Sequence, residues 1–298
     1  MTFDLDLGLA IYATTFTLGI VAGFLSGLLG IGGGWLITPG LNLLGIPMPQ
    51  AVATSLAQMI GGSLSGSFQH YHHKNIKPIL AIKLGIPLVL GVWAGKKLMI
   101  YWRELGMANE IPQTIFIVVL TIMGTSMVVS SFRRSNNLST EPEKMGNLLP
   151  LHLIFIPPIG VLSGILGMGG GFFMVPLLIY LAHQSPQVAA GTSLIVVLAG
   201  SFVGTIGYAL EGLVVWPIAI TTLLGSLLGG FIGAKSSAYI QANTLKKMFS
   251  ALVLIAALAM LLKRLDYPNM GMWVLSSAAL SLVAFGCSSI IRGLRQRH

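Results

Sequence analysis

Long apolar stretches separated by short polar ones run through the whole chain. They lie at roughly residues 8–29, 35–46, 50–70, 78–100, 112–132, 151–167, 172–183, 187–209, 213–234, 244–263 and 272–291. A helix needs about 20 apolar residues to cross the hydrocarbon core of a bilayer. Most stretches have this length, but the second and seventh do not. We expect those two to be half-helices shielded by neighbouring helices, because bare backbone is not tolerated in lipid.

Composition supports a polytopic all-α membrane protein. Hydrophobic residues make up 54% of the chain and charged residues only 8%, against about 25% charged residues in soluble domains. The net charge of +9 would suggest a nucleic-acid partner in a soluble protein. In a membrane protein it indicates cytoplasmic loops beside anionic lipid. We therefore predict the lipid bilayer as a partner and no nucleic acid.

The two halves of the chain repeat one sequence pattern. The run GFLSGLLGIGGG at 23–34 matches GVLSGILGMGGG at 160–171. After one inserted residue, TSL at 54–56 matches 192–194, and the pattern GxxxGxK at 91–97 matches 229–235. Such self-similarity indicates a duplicated structural unit. It predicts a first repeat at 1–132, a cytoplasmic linker at 133–150, a second repeat at 151–263, and an extra transmembrane helix with a basic tail at 264–298.

Each repeat contains five segments, an odd number, so the second repeat should enter the membrane with the opposite orientation. If every segment changes sides, one side of the membrane holds Lys74, Lys77, Arg133, Arg134, Lys144, Lys235, Lys246, Lys247, Arg292, Arg295 and Arg297. The other side holds Lys96, Lys97, Arg103, Lys263 and Arg264, with Lys83 set aside because it lies inside a segment. If the two short segments instead return to the side they left, the split of 11 against 5 becomes 9 against 7. The positive-inside rule prefers the first scheme, which places the N-terminus outside and the C-terminus in the cytoplasm. The charge pattern predicts two inverted-topology repeats, an arrangement common among transporters.

Acidic residues are absent from the middle of every predicted segment. The eight carboxylates are Asp4, Asp6, Glu104, Glu110, Glu141, Glu143, Glu211 and Asp266, all in loops or near segment ends. Cation sites and proton relays in membranes often use a buried acid. The absence favours an anionic or neutral substrate.

Two glycine clusters separate a long apolar segment from a short one in each half. They comprise Gly30, Gly32, Gly33, Gly34, Gly167, Gly169, Gly170 and Gly171. Glycine permits a sharp reversal of the chain, and the free N–H groups at the start of the following short helix attract anions. We therefore predict a substrate-binding site where the two clusters meet. The alternative is that these glycines only allow helices to pack closely.

Hydroxyl groups follow at matching positions of the third and eighth segments. Thr54, Ser55, Thr192 and Ser193 are candidates to donate hydrogen bonds to an oxyanion, with helix capping as the alternative. Gln58 lies one turn after Thr54 and joins the candidate set. Its counterpart in the second half is the apolar Val196, so a site built this way is asymmetric.

Other chemistry finds little support. The run HYHH at 70–73 lies near no cysteine or acid, so we predict neither a metal site nor a cofactor. No segment carries a nucleophile with a base, and we predict no enzymatic activity. A scaffold or sensor should carry a sizeable soluble domain, and the longest polar stretch is the central linker.

The doubled LSG[IL]LGxGGG run, the later [AG]TSL and the GxxxGxK end of the fourth segment resemble the TauE/SafE family of membrane proteins, over roughly residues 10–262. Ala53 departs from the usual pattern, since the second half has Gly191 there. The resemblance implies a secondary transporter, often an exporter, of sulfite, sulfoacetate or related sulfonates in a bacterial cytoplasmic membrane. An anion channel or an uptake permease is the alternative, and coupling to protons or a counter-anion and assembly into a homo-oligomer stay open.

Overall fold

The computed structural model describes residues 9–132, 149–180, 182–236 and 242–295. Within these ranges the chain forms eleven α-helices: α1 Leu9–Leu29, α2 Gly34–Leu43, α3 Met48–His72, α4 Pro78–Glu104, α5 Glu110–Phe132, α6 Leu149–Leu166, α7 Gly171–Tyr180, α8 Pro186–Ala209, α9 Trp216–Ser236, α10 Ala242–Arg264 and α11 Pro268–Arg295. The all-helical fold is confirmed, and the two short segments become the ten-residue helices α2 and α7. Most of the predicted linker, at 133–148, lies outside the described residues.

Proline sets the starts of three central helices. α3, α4 and α8 each carry it in their first turn, where the missing N–H has no intrahelical partner in any case. α8 is also capped by the Ser185 hydroxyl, which accepts a hydrogen bond from the Val188 amide at 3.4 Å. These signals fix where the chain turns back into the bundle after each short loop.

The outer surface of the bundle is apolar. Ile79, Ile82, Ile86, Leu90 and Trp93 are exposed along α4, and their spacing places them on one face of the helix. Five described helices are long and apolar enough to cross a membrane: parts of α1, α5 and α9, and the whole of α4 and α8. A face of exposed large apolar side chains is stable in lipid and costly in water. The chain is therefore a multi-pass membrane protein.

Helices of the two halves pack against each other in exchanged pairs. α1 lies along α9 and α4 lies along α6, while α3 packs against α8 and α5 against α10. Glycine makes the closest approaches: a Cβ on Gly91 would overlap the Pro157 carbonyl, and one on Gly229 would overlap the Ile20 carbonyl. The GxxxG glycines of α4 and α9 therefore serve helix packing.

Helix α3 lies at the centre of this arrangement, between α1, α8 and α9. Most of its residues are buried, including Thr54, Ser55 and Gln58. Polar side chains lower its mean hydropathy, and it is not among the five spans that are apolar throughout. A central helix contacts protein rather than lipid, so it tolerates the polar groups that a site requires.

Candidate functional site

Two tight chain reversals link the long and short helices of each half. We call residues 30–34 the first corner and residues 167–171 the second corner. Gly30 and Gly32 have φ values of 71° and 79°, and Gly167, Gly169 and Gly170 have values of 69°, 63° and 81°. Side chains other than glycine rarely adopt this left-handed backbone. These five of the eight glycines are therefore required by the shape of the two turns.

The two corners lie in direct contact at the centre of the protein. A Cβ on Gly34 would overlap the carbonyl oxygen of Gly167, and one on Gly171 would overlap the carbonyl oxygen of Ile31. The side chain of Met59 closes the same space, since its sulfur would lie 2.5 Å from a Cβ on Gly34 and 3.0 Å from one on Gly169. The structure thus brings the eight predicted glycines together from both halves.

Short helices α2 and α7 start at these corners. No described acceptor receives a hydrogen bond from the amides of Gly34 and Trp35 at the start of α2, or of Gly171 and Phe172 at the start of α7. Free amides at a helix start carry the positive end of the helix dipole. Trp35 and Phe172 lie at matching positions, with ring centroids 6.2 Å apart. Both helix starts are thus held at one place, and both attract negative charge.

Ser55 and Ser193 hold each corner to the opposite half. The Ser55 hydroxyl donates to the carbonyl of Gly167 at 2.9 Å, and the Ser193 hydroxyl donates to the carbonyl of Gly30 at 2.6 Å. Both serines are fully buried. Thr38 of α2 donates to the Ser55 oxygen at 2.7 Å. The two hydroxyls therefore make reciprocal hydrogen bonds between the halves.

Thr54 and Thr192 make a second reciprocal pair. The Thr54 oxygen accepts a hydrogen bond from the Val215 amide, just before α9, at 3.1 Å. The Thr192 oxygen accepts one from the Lys77 amide, just before α4, at 3.2 Å. Each threonine oxygen thus accepts from an amide at the start of a helix in the other half. This contact resembles the capping alternative, except that the capped helix belongs to the other half of the chain.

Gln58 is the polar residue of the candidate set that has no internal partner. Its side chain is fully buried, and neither its amide nitrogen nor its oxygen makes a hydrogen bond with the described residues. Burying an unpaired polar group costs about 1–3 kcal/mol. An unpaired buried amide on α3, one residue before the Met59 that contacts both corners, is chemically suited to bind a ligand, and it carries no charge.

Three residues of this region were missed by the sequence reasoning: Thr38, Met59 and Ser226. Met59 follows Gln58 and resembles ordinary core, so its residue type gives no signal. Ser226 could have been found by aligning the repeats, because it stands where the first half has Leu88. A polar residue that matches an apolar one in the other half shows where the chemistry of the two halves differs, which is a signal for a functional residue.

The fold and the site define a polytopic helical membrane protein with interrupted helices that meet at a buried, uncharged centre. The chain belongs to the family described as sulfite exporter TauE/SafE, whose sequence pattern matches residues 15–260. It is 29% identical to the probable membrane transporter protein YdhB of Bacillus subtilis, over 83% of this chain and 96% of the relative. It is 27% identical to a probable membrane transporter protein of Methanocaldococcus jannaschii, over 82% and 93% of the two chains. No solved structure matches the chain.

Proposed function

We propose that the protein is a secondary transporter that exports a small sulfur-containing or organic anion, such as sulfite, sulfoacetate or a related sulfonate. The observation that carries this proposal is the contact between the two corners, where the free amides of α2 and α7 start. Helix starts attract anions without any charged side chain. Among the described residues, Glu104, Glu110, Glu211 and Asp266 lie in loops or near helix ends, away from this centre. A negative substrate therefore meets none of these carboxylates there.

The mechanism in this proposal is alternating access between two inverted repeats. The exchanged helix pairs and the reciprocal hydrogen bonds of Ser55 and Ser193 support it. When each half provides the same contacts to the other, a rocking motion can break one set on one side while the matching set forms on the other. The substrate then stays at the centre while access to it changes.

Flux measured in proteoliposomes tests the proposal. Purified protein reconstituted with sulfite inside should show saturable efflux, and external sulfite should accelerate the efflux of radiolabelled sulfite by exchange. A channel, the second candidate, would instead give conductance in planar bilayers without exchange. Protein that moves none of sulfite, sulfoacetate or ethanesulfonate, although it is folded and reconstituted, would contradict the proposed function.

The same vesicles address coupling and direction. An imposed pH gradient or an opposing anion gradient should drive accumulation of sulfite if transport is coupled to protons or to a counter-anion. Orientation in the bacterial cytoplasmic membrane is tested by reporter fusions at the two termini. We expect the C-terminal reporter to be active in the cytoplasm and the N-terminal one outside, as the distribution of Lys and Arg predicts.

A further inference from the structure

Three polar atoms from three different helices surround one point beside Gly62 of α3. A Cβ placed on Gly62 would lie 3.6 Å from Ser26 Oγ of α1, 3.7 Å from Gln58 Nε2 of α3 and 3.7 Å from Ser226 Oγ of α9. These are ordinary van der Waals distances, so the point has room for an atom the size of a carbon or an oxygen. We call Ser26, Gln58 and Ser226 beside Gly62 the polar pocket.

The hydrogen bonds of the polar pocket are incomplete. Ser26 Oγ and both side-chain atoms of Gln58 are buried and have no partner in the described part of the chain. Ser226 directs its hydroxyl hydrogen to the carbonyls of Leu223 at 3.0 Å and of Gln58 at 3.4 Å, which leaves its lone pairs as acceptors. The pocket therefore offers a donor at Gln58 Nε2, acceptors at Gln58 Oε1 and Ser226 Oγ, and a hydroxyl at Ser26 that can do either.

The matching position in the second half is filled with carbon. Gly200 corresponds to Gly62, and a Cβ there would lie 2.8 Å from Leu88 Cδ2. Leu88 and Val196 stand where the first half has Ser226 and Gln58. The glycine is kept in both halves, and so is the serine (Ser26 and Ser163), while Gln58 and Ser226 are replaced by apolar residues. Packing alone therefore does not explain the polar groups, because the same arrangement packs with apolar ones.

The polar pocket lies next to the first corner. The Ser26 carbonyl accepts the hydrogen bond of the Gly30 amide at 2.7 Å, so Ser26 is one turn before the corner. Gln58 directly precedes Met59, whose side chain contacts both corners. Ser26 and Gln58 are thus within one turn of residues that form or contact the first corner.

We infer that the polar pocket receives one oxygen atom of the transported anion, and that it favours a singly charged sulfur oxyanion that also carries a hydrogen-bond donor. Hydrogensulfite and hydroxylated sulfonates share this chemistry, because each offers both acceptor oxygens and an O–H group. A site that combines unpaired donors with unpaired acceptors rejects ligands that cannot satisfy both. Halides and fully deprotonated oxyanions lack the donor. The inference rests on the proposed function and specifies its substrate class.

A charge introduced at Gln58 gives the sharpest test. Glu has nearly the same shape as Gln, so Gln58→Glu places a carboxylate where the anion should bind. We expect sulfite flux to fall at least tenfold, because an ionised carboxylate repels the anion and a carboxyl group neutralised by burial lacks the two N–H donors of the amide. Gln113→Glu makes the same change at a half-buried glutamine of α5 and should leave flux unchanged. Wild-type flux in the Gln58→Glu variant would overturn the inference.

Ligand competition tests the donor requirement without any mutation. Isethionate and ethanesulfonate differ only by one hydroxyl group, so we expect isethionate to inhibit sulfite flux about tenfold better, the effect of roughly one hydrogen bond. In Ser226→Ala the preference should shrink, since an acceptor is removed. Equal inhibition by the two sulfonates in the wild-type protein would overturn the inference. Lowering the pH converts sulfite into hydrogensulfite. If isethionate inhibits flux but sulfite binds no better at lower pH, the pocket binds organic sulfonates rather than hydrogensulfite.

The two proposals fail in different ways. If the wild-type protein transports no anion, the proposed function is wrong and the pocket has no substrate to bind. If it transports sulfite and Gln58→Glu does so equally well, only the pocket assignment is wrong. Should Gln58→Glu fail to give a monodisperse protein in detergent, Ser226→Ala and the sulfonate comparison decide the question, because neither adds a buried charge.

Discussion

Loss of the Ser193 hydroxyl should weaken the contact between the corners less than loss of the Ser55 hydroxyl. Ser193→Ala leaves the buried Gly30 carbonyl without the donor that now lies 2.6 Å away. Ser55→Ala leaves two groups without partners, the Gly167 carbonyl and the Thr38 hydroxyl. An unpaired buried group costs about 1–3 kcal/mol. The expected loss is therefore about 1–3 kcal/mol for Ser193→Ala and up to about twice that for Ser55→Ala.

Thermal unfolding of the purified protein in detergent measures this difference. A loss of 1 kcal/mol lowers Tm by about 2–4 °C in a chain of roughly this size, so Ser193→Ala should lower Tm by about 2–12 °C. Ser126→Ala is the control, because that exposed hydroxyl contacts only the carbonyl of Met123 in its own helix. Equal Tm values for Ser193→Ala and the control would refute the reasoning, as would a smaller effect of Ser55→Ala than of Ser193→Ala.

Three further substitutions separate packing, pairing and binding. Gly34→Ala should lower Tm and abolish sulfite flux, because its Cβ overlaps the opposite corner, whereas Gly85→Ala, with no atom within 4 Å of its Cβ, should change neither; normal flux in Gly34→Ala would contradict the contact. Thr54→Val should lower Tm through the lost acceptor for the start of α9, and a loss of flux at unchanged Tm would instead indicate substrate contact. Glu211→Gln should lower Tm, because it removes the carboxylate whose Oε1 lies 2.5 Å from Nζ of the largely buried Lys96. An unchanged Tm would argue against this ion pair.

Much of the fold follows from the sequence because the signals are local. Apolar length predicts the helices, and the predicted short segments, which contain Pro39 and Pro176, end within a few residues of the ends of α2 and α7. The glycine runs at 30–34 and 167–171 predict tight turns. In the structure, five of these glycines have the left-handed backbone conformation that only glycine adopts readily. Each of these features depends on residues that are close neighbours in the chain.

The partners of the site residues could not be predicted, because they come from distant parts of the sequence. Nothing at Thr54 indicates that its oxygen accepts from Val215, 161 residues away. Nothing at Ser55 indicates a bond to the Gly167 carbonyl. Such pairs depend on how the halves dock, and docking is decided by the whole packed surface rather than by a local pattern. Aligning the repeats narrows the possible hydrogen-bond partners only where both matching residues bond to matching positions of the opposite half.

Comparison of the two halves separates residues that hold the halves together, which are identical, from Gln58 and Ser226 of the polar pocket, which differ. Ser55 and Ser193, like Thr54 and Thr192, are identical and make matching bonds between the halves. Gln58 has the counterpart Val196. Alternating access needs two halves that contact each other equivalently, but it needs only one set of groups to bind the substrate. The matching bonds between the halves meet the first requirement, and the polar pocket, whose Gln58 lies in the first half only, meets the second. The asymmetry at Gln58 is therefore compatible with a symmetric motion.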